Sequence, residues 1–421
     1  MKKFILFISL LVICFKTLAS YVLIPMDDSQ KNHLKAYGMA YWALKGELEI
    51  HWLTNYRGGS FLIPNAKPVS SECLIRGISY EVISDAQKNS ILSEIANPEV
   101  NQDAIKLEKA PRIAVYSPKG KQPWDDAVTL VLKYAEIPYD IVYDEEIFLD
   151  KLKDYDWLHL HHEDFTGQYG KFYAQFAGAA WYQNEVKENE AMAKKLGFGK
   201  TSLMKLNSAK KIKDFVFSGG FLFAMCSATD SYDIALAAEG IDICESVFDH
   251  DPADKAANTK LDYSKGFAFE NYKLIMNPME YEYSNIDTYL TRRQFGMTQK
   301  TDLFTLFEFS AKWDPVPTML CQNHTSSIQG FWGQTVAFDK KYIKKNVLIM
   351  GESKAFGEAR YIHGDHGKGT WTFYSGHDPE DYEHRVEEPP TDLSLHPNSP
   401  GYRLILNNIL FPAAKKKKQK T

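Results

Sequence analysis

The chain has 421 residues, 44% of them apolar and 14% aromatic, and 49 Lys and Arg against 54 Asp and Glu leave a net charge of −5. That length fits two to three domains, or one large α/β domain with insertions, and the apolar share can fill a large core. The mildly acidic balance excludes nucleic-acid binding as a general role, and the one strongly basic patch, residues 415–418 with Lys420, reads as a frayed, solvated terminus.

The first 19 residues read as a cleavable secretory signal peptide. Lys2 and Lys3 precede an apolar run, residues 4–15, that only Ser9 interrupts; Lys16 ends it, and Thr17 and Ala19 supply small residues before a cut after Ala19 or Ser20. The expectation is an exported chain, periplasmic or secreted. The run is too short to span a bilayer and no later run is longer, so no membrane span is expected. Cys14 follows Ile13, where a lipidated cysteine would follow a small residue. The other cysteines, Cys73, Cys226, Cys244 and Cys321, are too widely spaced for a zinc ribbon or a small disulfide scaffold, and three pairings remain open.

Residues 21–25 predict a strand, residues 30–45 a helix with Leu34, Tyr37, Tyr41 and Leu44 on one side, and residues 48–53 another strand. Arg57-Gly58-Gly59-Ser60 predicts a tight turn, since no Lys-Ser/Thr follows to make a phosphate loop. Residues 85–110 read as a helix and linker. A second series starts at Arg112: strands at 113–116, 140–143, 157–161 and 215–225, with helices at 125–134 and 184–213 between them. This rhythm predicts an α/β fold with a doubly wound, mostly parallel sheet, whose ligands would sit beyond the carboxyl ends of the strands. It is lost over residues 241–345, read as an insertion or subdomain, and resumes with strands at 346–350 and 370–375 and a helix at 401–410. The expected units are therefore an N-terminal α/β unit (20–110), a main domain (111–240 and 346–411), the insertion and a basic tail (412–421).

Three segments carry candidate chemistry. In the first, an apolar strand ends at Ala224-Met225-Cys226-Ser227-Ala228 and a helix follows, so Cys226 is placed near helix amides that favour thiolate; the alternative is a buried structural cysteine. In the second, Ser375-Gly376-His377-Asp378-Pro379-Glu380 ends a strand, offering His377 as base and Glu380 or Asp378 as its orienting group, or else a polar loop. The third is Leu158-His159-Leu160-His161-His162-Glu163-Asp164. Its His159 and His161 share one face of a strand, as metal-binding pairs do, with His363, Asp365 and His366 available to complete a zinc site; the alternative is a polar cleft wall.

Together, residues 112–240 and 346–411 resemble the class I glutamine amidotransferase-like superfamily, with Cys226 at its cysteine elbow and His377, Pro379 and Glu380 near its late His-Pro-Glu segment. The resemblance implies a flavodoxin-like layering and a triad of Cys226, His377 and Glu380. Asp378 separates His377 from Pro379, and alanines stand where the elbow has glycines. The ending, from Gly376 through Pro400-Gly401-Tyr402-Arg403 to Asn408-Ile409-Leu410, is similar to the trehalose-utilisation-like branch, many members of which have no catalytic cysteine. The whole chain also resembles exported Bacteroidota proteins labelled asparagine synthetase B. The machinery that label implies, an N-terminal Cys and a Ser-Gly-Gly-x-Asp-Ser loop, has no match here: Ser20 or Tyr21 would lead the processed chain, and Ser218-Gly219-Gly220 continues as Phe221-Leu222. The leading expectation is an exported thiol-dependent amide or acyl hydrolase without cofactor, acting on a small-molecule or carbohydrate- or peptide-derived substrate. The others are a non-catalytic binding or envelope-associated protein of the same fold and a zinc hydrolase built on His159, His161 and His363.

Overall fold

The computed structural model describes residues 20–118, 126–383, 385 and 388–414; the expected signal peptide, residues 1–19, and the basic residues 415–420 lie outside them. The N-terminal unit is a five-stranded antiparallel sheet in the order β4-β1-β3-β2-β5. Its strands are β1 (Tyr21–Ile24), β2 (Ile50–Thr54), β3 (Ser60–Pro64), β4 (Glu81–Ile83) and β5 (Asp103–Leu107), with helices α1 (His33–Lys45), α2 (Lys67–Arg76) and α3 (Asp85–Ala96). The two-residue period of a strand sorts its side chains. Val22, Ile24, Trp52, Phe61 and Ile63 enter the main core, whereas Leu23, Leu53 and Leu62 form a smaller one on the other face. The Arg57–Ser60 segment is a tight turn, as expected. Gly58 has φ 74°, and a Cβ there would lie 2.2 Å from the Met26 carbonyl oxygen.

The second sheet has ten strands in the order β11-β10-β13-β14-β15-β9-β8-β6-β7, with β12 paired to β14. One half is parallel: β6 (Ile113–Tyr116), β7 (Asp140–Val142), β8 (Trp157–Leu160), β9 (Phe221–Met225) and, later in the chain, β15 (Gly369–Tyr374). Between them run α4 (Ala127–Tyr134), α5 (Ala180–Lys195), α6 (Thr201–Phe217) and α7 (Ser227–Ala237). The expected single helix over 184–213 is two helices because Gly197, at φ 86°, ends the first. Ile113, Val115, Trp157, Phe223 and Met225 face one core; Ala114, Tyr116, Leu158, Leu160, Leu222 and Ala224 face another. Burial on both faces is what a parallel sheet requires and why these strands read as near-continuous apolar runs.

The other half is antiparallel: β10 (Leu303–Leu306), β11 (Ser327–Gln329), β12 (Phe338–Asp339), β13 (Leu348–Ser353) and β14 (Glu358–His366), the last joined to β15 as a hairpin. Residues 241–345 thus do not stand apart: they supply three strands of this sheet. The closing helix α8 (Pro400–Leu410) is capped by the Ser399 side chain and ties the two units together, its Arg403 donating to the Met26 carbonyl (3.0 Å) and the Gly58 carbonyl (2.7 Å). Among the described residues no helix is long and apolar enough to cross a membrane, and Cys73, Cys226, Cys244 and Cys321 are all free thiols. The whole is an α/β fold.

Candidate active site

Strands β8, β9 and β15 run the same way, so His161, Cys226 and His377 leave the sheet at one edge, beyond the carboxyl ends of the strands. Cys226 joins β9 to α7 with φ 50° and ψ −141°, a conformation that costs an L residue about 1–3 kcal/mol and persists only where its surroundings impose it. Two contacts do so: Ala228 N–H donates to the His161 carbonyl (2.9 Å) and the Thr229 hydroxyl to the Cys226 carbonyl (2.7 Å). The thiol, 2% exposed, accepts a hydrogen bond from Gln334 N–H at 3.3 Å. Burial works against its ionisation. The His377 imidazole beside it and the Gln334 and Ser227 amides outweigh that and bring it below the usual thiol range.

Behind His377 stands a line of buried groups. His377 Nδ1 meets His161 Nε2 at 3.1 Å, and the rings cross at 78°. His161 Nδ1 lies 3.7 Å from Asp126 Oδ1, and Asp126 Oδ2 lies 3.4 Å from His159 Nε2. Burial alone would raise the Asp126 carboxyl, but the two imidazoles and the Thr129 amide it caps hold it below the ordinary carboxylate range. Burial, helped by His377, keeps His161 neutral well below its usual range. A carboxylate facing His161 Nδ1 favours the proton on that nitrogen, leaving Nε2 to accept from His377 Nδ1–H and His377 Nε2 to serve as a base. Cys226, His377, His161 and Asp126 therefore form one chain of charge and hydrogen bonding.

The loop 331–336 closes over this line and is itself clamped. Arg360 donates to the Phe331 carbonyl (2.9 Å) and the Val336 carbonyl (2.5 Å), and Asp302 holds Arg360 and Arg292, all three fully buried. His377 N–H donates to the Trp332 carbonyl at 2.8 Å. A Cβ on Gly333 would come within 2.8 Å of that same nitrogen, which is why only glycine fits there.

Two sequence expectations are redrawn. Glu380 does not meet His377: its Oε2 lies 3.0 Å from His396 Nδ1, and it bonds Ser399, while burial raises its carboxyl. Asp378 turns to Thr391 at 2.8 Å. Nor does His363 join His159 and His161. The register places His159, Phe223, Thr372 and His363 in one row across four strands, so two strands intervene and the histidines are roughly 14 Å apart. His363 bonds the Thr372 hydroxyl at 2.9 Å, and burial pushes it down to about 4. His159 and His161 are indeed side by side, with Asp126 as their shared partner.

Cys226, His162 and His377 open onto a cavity of about 1010 Å³ walled by Trp181, Tyr281, Tyr289 and Trp332. Glu163 also lines it, with its carboxyl pushed by burial up to about 8, and so protonated at neutral pH. Asp126 and Gln334 carry no local motif, and Glu163 stands in the His159–Asp164 segment without a role of its own. Nothing within one sequence pairs Asp126 with His161, and Gln334 lies in the stretch 241–345 where the β-α rhythm is lost.

No family model matches the chain, and no curated protein does. Among solved structures it is similar to the cytoplasmic protein STM3548 from Salmonella typhimurium at 8% identity, over 72% of this chain and 100% of that one, with a TM-score of 0.35. Cytoplasmic protein STM1381 from Salmonella typhimurium LT2 is 12% identical over 64% of this chain and 90% of that one, with a TM-score of 0.32. A β-galactosidase from Bacillus circulans sp. alkalophilus is 10% identical over 66% of this chain and 29% of that one, with a TM-score of 0.28. Likenesses of this degree say nothing about activity.

Proposed function

We propose that the protein is an exported, thiol-dependent hydrolase of amide or related acyl bonds, on a doubly wound, glutamine amidotransferase-like scaffold. Its substrate would be a small molecule or a carbohydrate- or peptide-derived compound that enters the aromatic cavity. The observation that carries the reading is the strained Cys226 elbow, its thiol bonded by Gln334 N–H and flanked by His377, at the wall of a large cavity. A thiol with amide donors on one side and an imidazole on the other is equipped to attack a carbonyl carbon.

In this reaction His377 Nε2 takes the Cys226 proton and the thiolate adds to the carbonyl. The oxyanion is received by the backbone N–H groups beside the sulfur, those of Ser227 at the elbow and Gln334 on the facing loop. The His377 imidazolium returns its proton to the leaving amine, and water then cleaves the thioester with His377 again as base. His161 and Asp126 act as positioning residues: they hold the His377 tautomer and stabilise its positive charge, the task that the sequence pattern assigns to Glu380. Cys226→Ala, assayed against a panel of chromogenic amides and for covalent labelling by iodoacetamide, is the test. Loss of hydrolysis and of fast labelling is expected; unchanged hydrolysis would remove the assignment.

A further inference from the structure

We propose that His161, His162 and His377 form a binding site for one divalent transition metal, zinc by its ligand chemistry, and that metal binding and thiol chemistry exclude one another at this centre. The inference goes beyond the hydrolase reading and shares His377 and the positioning residue His161 with it.

One nitrogen from each of the three imidazoles lies within 4.8 Å of the others. His161 Nε2 and His377 Nδ1 are 3.1 Å apart, close to the spacing of about 3.3 Å that two nitrogens take when each sits about 2.0–2.1 Å from a tetrahedral zinc. A small outward movement would admit the ion. Behind the site, Asp126 faces the other nitrogen of His161, the carboxylate–histidine arrangement that fixes ring and tautomer at metal centres. His162 and His377 both line the cavity, so the fourth coordination position would open to solvent and ligand. The neighbouring trio of Asp126, His159 and His161 is a poorer candidate although its atoms are equally close. All three are fully buried, His159 Nδ1 is engaged by the Phe223 carbonyl, and Asp126 is occupied by Thr129 N–H, so that trio serves as the outer layer.

The charge balance explains the exclusion. Without metal, one proton lies between His377 Nδ1 and His161 Nε2. Zinc would take both nitrogens, and the proton displaced from His377 Nδ1 would move to its Nε2, which keeps the imidazole neutral. With Nδ1 on the metal, His377 can no longer pass charge back to His161 and Asp126, and its Nε2 ceases to be an effective base toward Cys226.

The test is equilibrium dialysis of the full chain against zinc chloride with elemental analysis, repeated with cobalt to read the visible absorption of a tetrahedral site. One metal per chain is expected, weakened at least about 100-fold in His162→Ala and His162→Gln and retained in His363→Gln; near-UV circular dichroism checks that each variant folds. Zinc should also slow iodoacetamide labelling of Cys226 at least tenfold in the wild-type chain and not in the His162 variants. No uptake, or uptake unchanged in both His162 variants, overturns the proposal. Should Cys226 resist labelling even without zinc, the hydrolase reading falls while dialysis still decides the metal site.

Discussion

Replacing Asp126 by Asn removes one buried charge while leaving a side chain that can still cap α4 through Thr129. At the 3.7 Å that separates Asp126 Oδ1 from His161 Nδ1, an effective dielectric of about 20 makes the carboxylate worth about 4 kcal/mol to a positive charge on His161. The charge that matters sits on His377, whose ring centre lies 4.4 Å from that of His161; at roughly 8 Å the same expression leaves about 2 kcal/mol. That is about a 30-fold loss of thiolate–imidazolium formation. The amide oxygen that still caps Thr129 N–H is also the atom that faces His161 Nδ1, and the amide nitrogen falls on the side of His159, so the His161 tautomer is kept and the charge alone is lost. Asp126→Asn should therefore slow iodoacetamide labelling of Cys226 about 30-fold at pH 7 and move its pH profile upward, read by intact mass over a range of pH. A folded variant that labels at the wild-type rate across the profile would refute the relay through His161.

Glu380→Gln should leave the labelling rate of Cys226 within about twofold, because Glu380 bonds His396 and Ser399 and not His377; a hundredfold loss would restore the orienting role that the sequence pattern implies. Cys226→Gly should melt higher than Cys226→Ala by about 1–3 kcal/mol in urea titrations, since both lack the thiol and only alanine bears the strain of φ 50°; equal stabilities would mean that the elbow stores no strain. Gly333→Ala should cut Cys226 labelling at least about tenfold, the added Cβ forcing away the His377 backbone nitrogen that lies 2.8 Å from it. Asp302→Asn should destabilise the chain by about 3–5 kcal/mol, leaving Arg292 and Arg360 buried with less countercharge.

The parallel half of the large sheet was legible because β6, β8 and β9 are mostly apolar runs of four or five residues alternating with helical patterns, and β6 and β9 end just before the polar Ser117 and the Cys226-Ser227 turn. The placement of Cys226 and His377 followed from the same cue, each lying just beyond the end of a strand, whereas His161 was read as the last residue of its own strand. What the chain order hid is pairing across distance. Nothing near Asp126 announces that it will face His159 and His161, and the likeness of residues 377–380 to a family motif pointed to Glu380 although His396 is the nearer partner. The row holding His159 and His363 could be drawn only once β9 and β15 were known to lie between them. Residues 241–345 were unreadable for another reason. Their strands are two to four residues long and antiparallel, too short for a period to emerge, and their aromatic residues serve the cavity as much as the core.

The clamp on the loop 331–336 bears on the order in which the molecule acquires its chemistry. His161 and His377 are 216 positions apart, and Gln334 is 108 positions from Cys226, so the centre joins distant parts of the chain and needs long loops to close before it exists. Until Asp302 and Arg360 have drawn that loop over β15, the thiol lacks the Gln334 amide and the His377 backbone lacks the Trp332 carbonyl that holds it. A newly made or partly unfolded copy would carry an ordinary cysteine, and reactivity would appear only in molecules that have completed the sheet.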